Sequence, residues 1–491
     1  MPVEDYIPTI GLEVHCQVKT QTKMFCACET SFADEPNVHT CPTCLGLPGA
    51  LPVLNAGAIE KTILAGMMIE CTTPPISKWD RKNYFYPDMP KNYQTTQLDL
   101  PLCQGGLVPL YDHAYPKDHQ KNIASPGKKV RLDRIHLEED VAKSTHVGKN
   151  SLIDFNRAGT PLMEIVSEPD IDSAEEAVAF LKSLQQILNY GDISDADMEK
   201  GQMRCDVNIS VRPKGTDELG IRTELKNMNS ISAIRRAIKY EIERQCEELD
   251  AGKTLEQNTS RWDDEIGESV VMRTKEDAHD YRYFPCPDLL PIETAKHVAE
   301  AQKHIPELPH EKSARFVTEF GITDYDSVVL ASDRFLADYF EAAAASKTVP
   351  GKKIANWIIN TVLGQLNETG LEITSCPIKA ASISGIAKLV EDNICSNNQA
   401  KEVFDKIWEN PELDPAVVAK ELGFEPADTG QLDAWCDEVI ANFPDKVAEI
   451  KGGNAKLLNF LTGQVMKAGK AAGQKPNPKA VTETLSGKIG L

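Results

Sequence analysis

Ile10-Gly11-Leu12-Glu13-Val14-His15-Cys16-Gln17-Val18 sets Ile10, Leu12, Val14, Cys16 and Val18 on one side and Glu13 and His15 on the other. A two-residue period of this kind is that of a strand covered on one face and open on the other. Met203 to Arg212 (MRCDVNISVR) repeats the pattern and aligns Arg204, Asp206, Asn208, Ser210 and Arg212. Ile221 to Lys226 places Arg222, Glu224 and Lys226 together. These segments predict half-buried antiparallel strands whose polar face mixes carboxylates with basic, amide and imidazole groups. Between them, Ser173-Ala174-Glu175-Glu176 reads as a capping box opening a helix with Ala177, Leu181, Leu184 and Leu188 on one stripe. Ile231, Ile234, Ile238 and Ile242 mark a second helix.

Pro161-Leu162-Met163-Glu164-Ile165-Val166 adds an anomaly, because Glu164 stands in a run that is apolar on both faces. A carboxylate there is costly unless it is paired or bound to a metal. The segment Arg131 to Lys143 (RLDRIHLEEDVAK) contributes the acidic triplet Glu138-Glu139-Asp140. Carboxylates with one imidazole suit Mg²⁺, which prefers oxygen ligands and retains water.

Cys26-Ala27-Cys28 and Cys41-Pro42-Thr43-Cys44 form two close cysteine pairs twelve residues apart, with turn residues Asp34-Glu35-Pro36-Asn37 between them. The spacing predicts a closed, tetrahedral and structural zinc site on Cys26, Cys28, Cys41 and Cys44, with no open position for catalysis. The other cysteines, among thirteen in all, read as reduced intracellular thiols.

A chain of 491 residues has room for about three domains, and 41% hydrophobic with 26% charged residues is ordinary globular composition. No stretch approaches the ~18 apolar residues of a membrane span. The acidic start Met1-Pro2-Val3-Glu4-Asp5-Tyr6 resembles no secretory leader, so a soluble cytoplasmic protein is expected. The texture predicts an α+β protein: a sheet-rich domain at 1–292, then all-α domains at 293–410 and 411–491. Asp288-Leu289-Leu290-Pro291 reads as the hinge, and Ser332-Asp333 as the cap of a helix running through Phe340. A short echo links Tyr84-Phe85-Tyr86-Pro87-Asp88 to Tyr281-Arg282-Tyr283-Phe284-Pro285.

The net charge of −21 argues against indiscriminate nucleic-acid coating. The tail differs: residues 451–491 carry seven lysines, Lys467 and Lys470 among them, against the single acid Glu483. That asymmetry fits either a solvated lysine face or a docking surface for a polyanion. Walker-type phosphate loops and G-x-S-x-G elbows are missing, and Gly463 to Ala471 has one spacer too many. A Gly-rich Ser-Ser-Lys amidase signature is missing too, so ammonia-consuming chemistry would need another chain to release it.

Ile10 to His15, Asp80 to Asp88 (DRKNYFYPD), His136 to Asp140 (HLEED), Gly159 to Asp170 (GTPLMEIVSEPD), Arg204 to Asn208, Glu224 to Asn227 and Asp280 to Pro285 together resemble the B-subunit family of aspartyl/glutamyl-tRNA amidotransferase. Ile305 to Pro309 and Gly463 to Ala468 extend the resemblance over essentially the whole chain. The resemblance implies a heterotrimer in which an amidase subunit releases ammonia, with a small third subunit that braces the pair. It implies ATP- and Mg²⁺-dependent phosphorylation of the side-chain carboxyl of misacylated Glu-tRNA(Gln) or Asp-tRNA(Asn), followed by amidation with channelled ammonia. Glu13, His15, Glu139 and Glu164 map onto the family's Mg²⁺ site, and Asp206 and Glu224 onto further acidic positions of a catalytic cradle. Glu139 is in phase with Ile135 and Leu137, so it reaches that site through a bulge or turn, or Glu138 replaces it. Arg81 and Lys82 are candidate phosphate or tRNA contacts, as are Lys467 and Lys470 in the tail. Some members lack the four cysteines, which makes the zinc a support of the fold. A zinc-stiffened, noncatalytic tRNA-binding scaffold is the rival reading.

Overall fold

The alternation at 10–18 folds as β1 (Tyr6–Gln17), near the middle of a nine-stranded sheet. The computed structural model describes residues 5–31, 34–274, 280–424, 429–452, 456–472, 474 and 476–490. The strands that build the site follow in order: β2 (Asp80–Asn83), β3 (Tyr93–Thr96), β4 (Lys129–Glu139), β5 (Pro161–Ser167), β6 (Met203–Pro213), β7 (Thr223–Lys226), β8 (Asn258–Asp263), β9 (Glu268–Thr274) and β10 (Phe284–Pro285). The large sheet runs β9-β8-β7-β6-β1-β5-β4 and ends on the short segment Cys103–Gln104, while Leu107–Pro109 also pairs with β4. A small sheet runs β10-β2-β3.

The antiparallel expectation holds for β6-β1-β5-β4, but β7 and β8 are parallel. The helix Ile231–Asp250 occupies the crossover between them, as a parallel pair requires. Helices α1 (Ala56–Met68), α2 (Ala174–Tyr190) and α3 (Ile231–Asp250) share one hydrophobic core with Leu12, Val14, Ile135, Ile165, Val207 and Ile209 of the sheet. The opposite face is thereby left for polar side chains. Ser173 caps α2 by accepting from Glu176 N–H, but the capping box is incomplete. Glu176 reaches past Ser173 to accept from Asp172 N–H at 2.9 Å and from Lys128 at 2.7 Å.

The first compact unit is Met1–Pro309, so the boundary expected at 292 comes too early. Ile292, His297 and Ala301 are buried, and helix α4 (Ala295–Ala301) packs on α1 with His297 Nδ1 3.1 Å from Glu60. Asp288 to Pro291 therefore lies within the unit. The second unit, His310–Leu491, is helical and contains two separate apolar cores. Phe316, Phe340 and Ile383 belong to one, and Leu432, Leu461 and Leu485 to the other. Asp333 caps the helix Arg334–Ala344 by accepting from Leu336 N–H at 2.9 Å. Val418, Ala419 and Phe424 bury in the earlier core, so the change of core falls after the 410 expected from the sequence.

Candidate active site

Strand register assembles the site. His15 of β1 lies opposite Glu164 of β5, and Glu164 lies opposite His136 of β4. Glu138 lies one pleat further along β4, opposite Leu162, and thus shares their face. His15 Nε2 is 3.3 Å from Glu164 Oε2 and 3.9 Å from Glu138 Oε1. His136 Nε2 is 3.1 Å from Glu164 Oε2, and Thr96 Oγ1 donates to Glu138 Oε2 at 3.1 Å. Ligand atoms of His15, Glu138 and Glu164 all lie within 4.8 Å of one another. Burial works against ionisation of Glu164, yet the His136 and His15 imidazoles hold its carboxyl well below the usual range. Burial likewise opposes the charge on His15, and Glu164 and Glu138 outweigh it, so its pKa is raised.

A second acidic group lies on the same face. Glu13 is opposite Asp206, Asn208 is opposite Glu224, and Glu13, Asp206 and Glu224 converge within 4.8 Å. Asn208 Nδ2 donates to Glu13 Oε1 at 2.8 Å, and Lys226 Nζ donates to Glu224 Oε1 at 2.8 Å and to Asp206. Burial disfavours the Lys226 ammonium, but Asp206 and Glu224 hold its pKa above the ordinary lysine value. The four residues expected in one metal shell are thus divided. Glu13 and His15 are two residues apart on one strand, roughly 6.6 Å of rise, and each joins a different carboxylate group.

Glu139 joins neither. It lies opposite Pro161, in register with Leu137 and Ile135, and the bulge in the β4–β5 ladder falls at Val166/Ser167. Without a bulge to turn it, its carboxylate stays on the far side of the strand, buried, accepting from Thr95 N–H at 2.8 Å and from Lys91 Nζ. Glu138, the substitute, takes the place beside His15.

A cavity of about 210 Å³ opens onto this face, lined by His15, Lys82, Tyr84, Glu138, Arg204 and Asp206 among others. Arg204 is anchored by Asp140 at 3.0 Å. Of the two predicted cations of β2, only Lys82 lines this cavity; Arg81 is engaged by Asp288 at 2.5 Å and lies 4.0 Å over the Tyr93 ring. Lys467 and Lys470 are exposed on the helix Lys456–Ala471, with no carboxylate partner among the described residues. Lys475 lies outside the described residues.

The sulfurs of Cys26, Cys28, Cys41 and Cys44 converge within 4.8 Å. Cys41 N–H donates to Cys44 Sγ at 3.1 Å, and the buried Lys23 ammonium lies 3.7 Å from the same sulfur. A hydrogen bond with Cys26, together with the Cys41 N–H and Lys23, brings the Cys44 thiol down to about 5. This is the donor chemistry of a closed thiolate site.

Comparison with known proteins decides the family. Residues 8–300 match the model described as the GatB/GatE catalytic domain, and residues 338–489 match the GatB domain. The chain is 52% identical over 485 residues to the B subunit of the aspartyl/glutamyl-tRNA(Asn/Gln) amidotransferase of Methylacidiphilum infernorum, covering 98% of each chain. The like-named protein of Persephonella marina is 45% identical, covering 98% of this chain and 99% of its own. This chain belongs to the GatB family.

The GatB catalytic-domain match spans both acidic groups and the cysteine cluster. The sequence analysis did not single out His136, Lys226 and Asn208 as members of these two groups. The signal was there for each, since His136 alternates with Glu138, and Asn208 and Lys226 lie on the polar faces already recognised. Among the described residues, no helix is long and apolar enough to cross a membrane.

Proposed function

We propose that this chain activates and amidates the side-chain carboxyl of Glu-tRNA(Gln), Asp-tRNA(Asn) or both. It would act in the cytoplasm with ATP and with ammonia released by an amidase subunit, alongside a small third subunit. The observation that carries the reading is the convergence of His15, Glu138 and Glu164 within 4.8 Å on a cavity that also presents Lys82, Arg204 and Asp206. The relatives' names, which specify tRNA(Asn/Gln), supply the substrate class.

A carboxylate is a poor acyl donor, and transfer of a phosphoryl group to it creates a leaving group. The side-chain oxygen attacks the γ-phosphorus and ADP departs; ammonia then attacks the acyl carbon, phosphate departs, and one proton leaves the new amide nitrogen. His15, Glu138 and Glu164 would hold Mg²⁺, which when bound offsets phosphate charge during transfer. Lys82 and Arg204 hold the anionic oxygens, with Arg204 oriented by Asp140. Asp206 and Glu224, both paired with Lys226 between them, take up the proton. Cys26, Cys28, Cys41 and Cys44 would hold a structural Zn²⁺, and Lys467 and Lys470 would face the tRNA backbone. The test is ATP cleavage by the complete complex, with Glu-tRNA(Gln), Asp-tRNA(Asn) or uncharged tRNA. Cleavage that requires a misacylated tRNA and Mg²⁺, and is abolished by Glu138→Gln, is expected. Cleavage untouched by Glu138→Gln and Glu164→Gln, with tRNA still bound, would leave this chain a scaffold.

A further inference from the structure

The two halves of the aromatic echo meet in space. Phe284 pairs with Arg81 across β10 and β2, and Asn83 N–H donates to Tyr281 O at 2.9 Å. The rings form a chain: Tyr86 to Tyr84 at 6.2 Å, Tyr84 to Tyr281 at 6.3 Å, and Tyr281 to Tyr283 at 6.2 Å. Cations are interleaved, with Lys82 Nζ 5.0 Å over the Tyr281 ring and the Arg282 guanidinium 5.9 Å from the Phe85 ring. The chain meets the cavity at Tyr84 and Lys82. Its end ring next to Tyr84 is open, with Tyr86 61% and the adjoining Phe85 69% exposed.

Large rings left in water beside a polar cavity are a costly arrangement unless something covers them. Arg282 adds an independent sign. Its backbone is in the left-handed region at φ +44°, held there by Asn83 Nδ2 donating to Arg282 O at 2.7 Å and by Arg282 N–H donating to Asp280 Oδ1 at 3.0 Å. In that conformation the Arg282 guanidinium lies against the Phe85 ring. The cavity itself, at about 210 Å³, falls below the ~300–1,000 Å³ of sites that enclose a whole small molecule. A volume of that size holds a terminal phosphate or acyl group and not a whole nucleotide.

We propose that Phe85, Tyr86 and Arg282 form a stacking platform for an adenine ring whose phosphate or acyl end enters the His15–Glu138–Glu164 cavity. Exposed aromatic faces with interleaved guanidinium and ammonium groups are the surface on which bases stack without hydrogen-bond readout. The inference rests on the activity proposed above. Adenine reaches such a site either on ATP or as the terminal base of the tRNA, and both present the same ring.

Affinity measurements on the complete complex separate these sources. The probes are ATP, inorganic tripolyphosphate, and an RNA minihelix ending in adenosine or lacking that nucleotide. Phe85→Ala and Tyr86→Ala, both at exposed positions, are expected to weaken one adenine-bearing probe about 10- to 100-fold, with Phe85→Tyr restoring it. Tripolyphosphate and the shortened minihelix should bind as before. Loss for ATP alone assigns the platform to the nucleotide, and loss for the adenosine-ended minihelix alone assigns it to the tRNA. Unchanged affinity for both in either variant overturns the platform and leaves the carboxylate site standing. Failure of the wild-type complex to bind either probe overturns the platform together with the activity on which it rests.

Discussion

Glu164 accepts two imidazole contacts, at 3.1 and 3.3 Å, on a strand whose neighbouring side chains are almost all apolar. Its oddity in the sequence has a physical explanation, because His136 and His15 flank it from the strands on either side. Glu138 and Glu139 are adjacent on one strand and so face opposite environments. Glu138→Gln is expected to lower amidation ~10²-fold or more, measured as Gln-tRNA or Asn-tRNA formed by the complex. Glu139→Gln leaves the half-buried Lys91 ammonium without its counter-charge, so it should cost about 2 kcal/mol in stability while leaving the Mg²⁺ dependence of the reaction unchanged. Thermal unfolding and a Mg²⁺ titration check both arms. Periodicity alone put Glu139 on the apolar side, and family resemblance pulled it to the metal; the register supports the periodicity. His136 was legible by the same rule, being two residues from Glu138.

At the scale of elements, α2 and α3 are clamped by Glu175, which accepts from Arg235 at 2.9 Å and Lys239 at 2.7 Å. Burial disfavours the Glu175 charge, but Lys239 and Arg235 hold its pKa below the ordinary value. With the folded pKa depressed, the clamp's stabilisation is present above the ordinary glutamate range, ~4.3, and is lost as pH falls through the folded value. Glu175→Gln should therefore cost about 1 kcal/mol at pH 7 and nothing once the wild-type carboxyl is protonated, read from urea midpoints at the two pH values. The cysteine segment is coupled to the sheet through Gly46, at φ +69°, where a Cβ would stand 2.6 Å from Lys91 Cγ. Chelation of zinc from the native complex is expected to expose all four thiols of this cluster to a thiol reagent together, and unchanged reactivity would contradict a metal there. The cysteine spacing was legible because the ligands are local in sequence. The parallel β7–β8 pair was not, since a crossover is decided by tertiary packing rather than by either strand's pattern.

The whole molecule places its acidic cradle in the first unit and its exposed lysines in the last helical core. Domain edges were the least legible feature, because short segments such as 292–301 and 415–424 are claimed by cores that begin earlier in the chain. The −21 charge of the whole hides the basic tail, which shows only as an asymmetry along the chain. Lys467→Ala with Lys470→Ala is expected to weaken tRNA binding and flatten its log–log salt dependence by about one per lysine in direct phosphate contact; an unaltered slope would remove these residues from the interface. Amidation by this chain's own carboxylate cluster should proceed with ammonium once glutamine hydrolysis is bypassed. The most direct measurement supplies the complex with ammonium in place of glutamine and compares wild type with Glu164→Gln on Glu-tRNA(Gln) and Asp-tRNA(Asn). Amide formed by the wild type and not by Glu164→Gln, at equal tRNA binding, is the predicted result, and equal amide from both would contradict it.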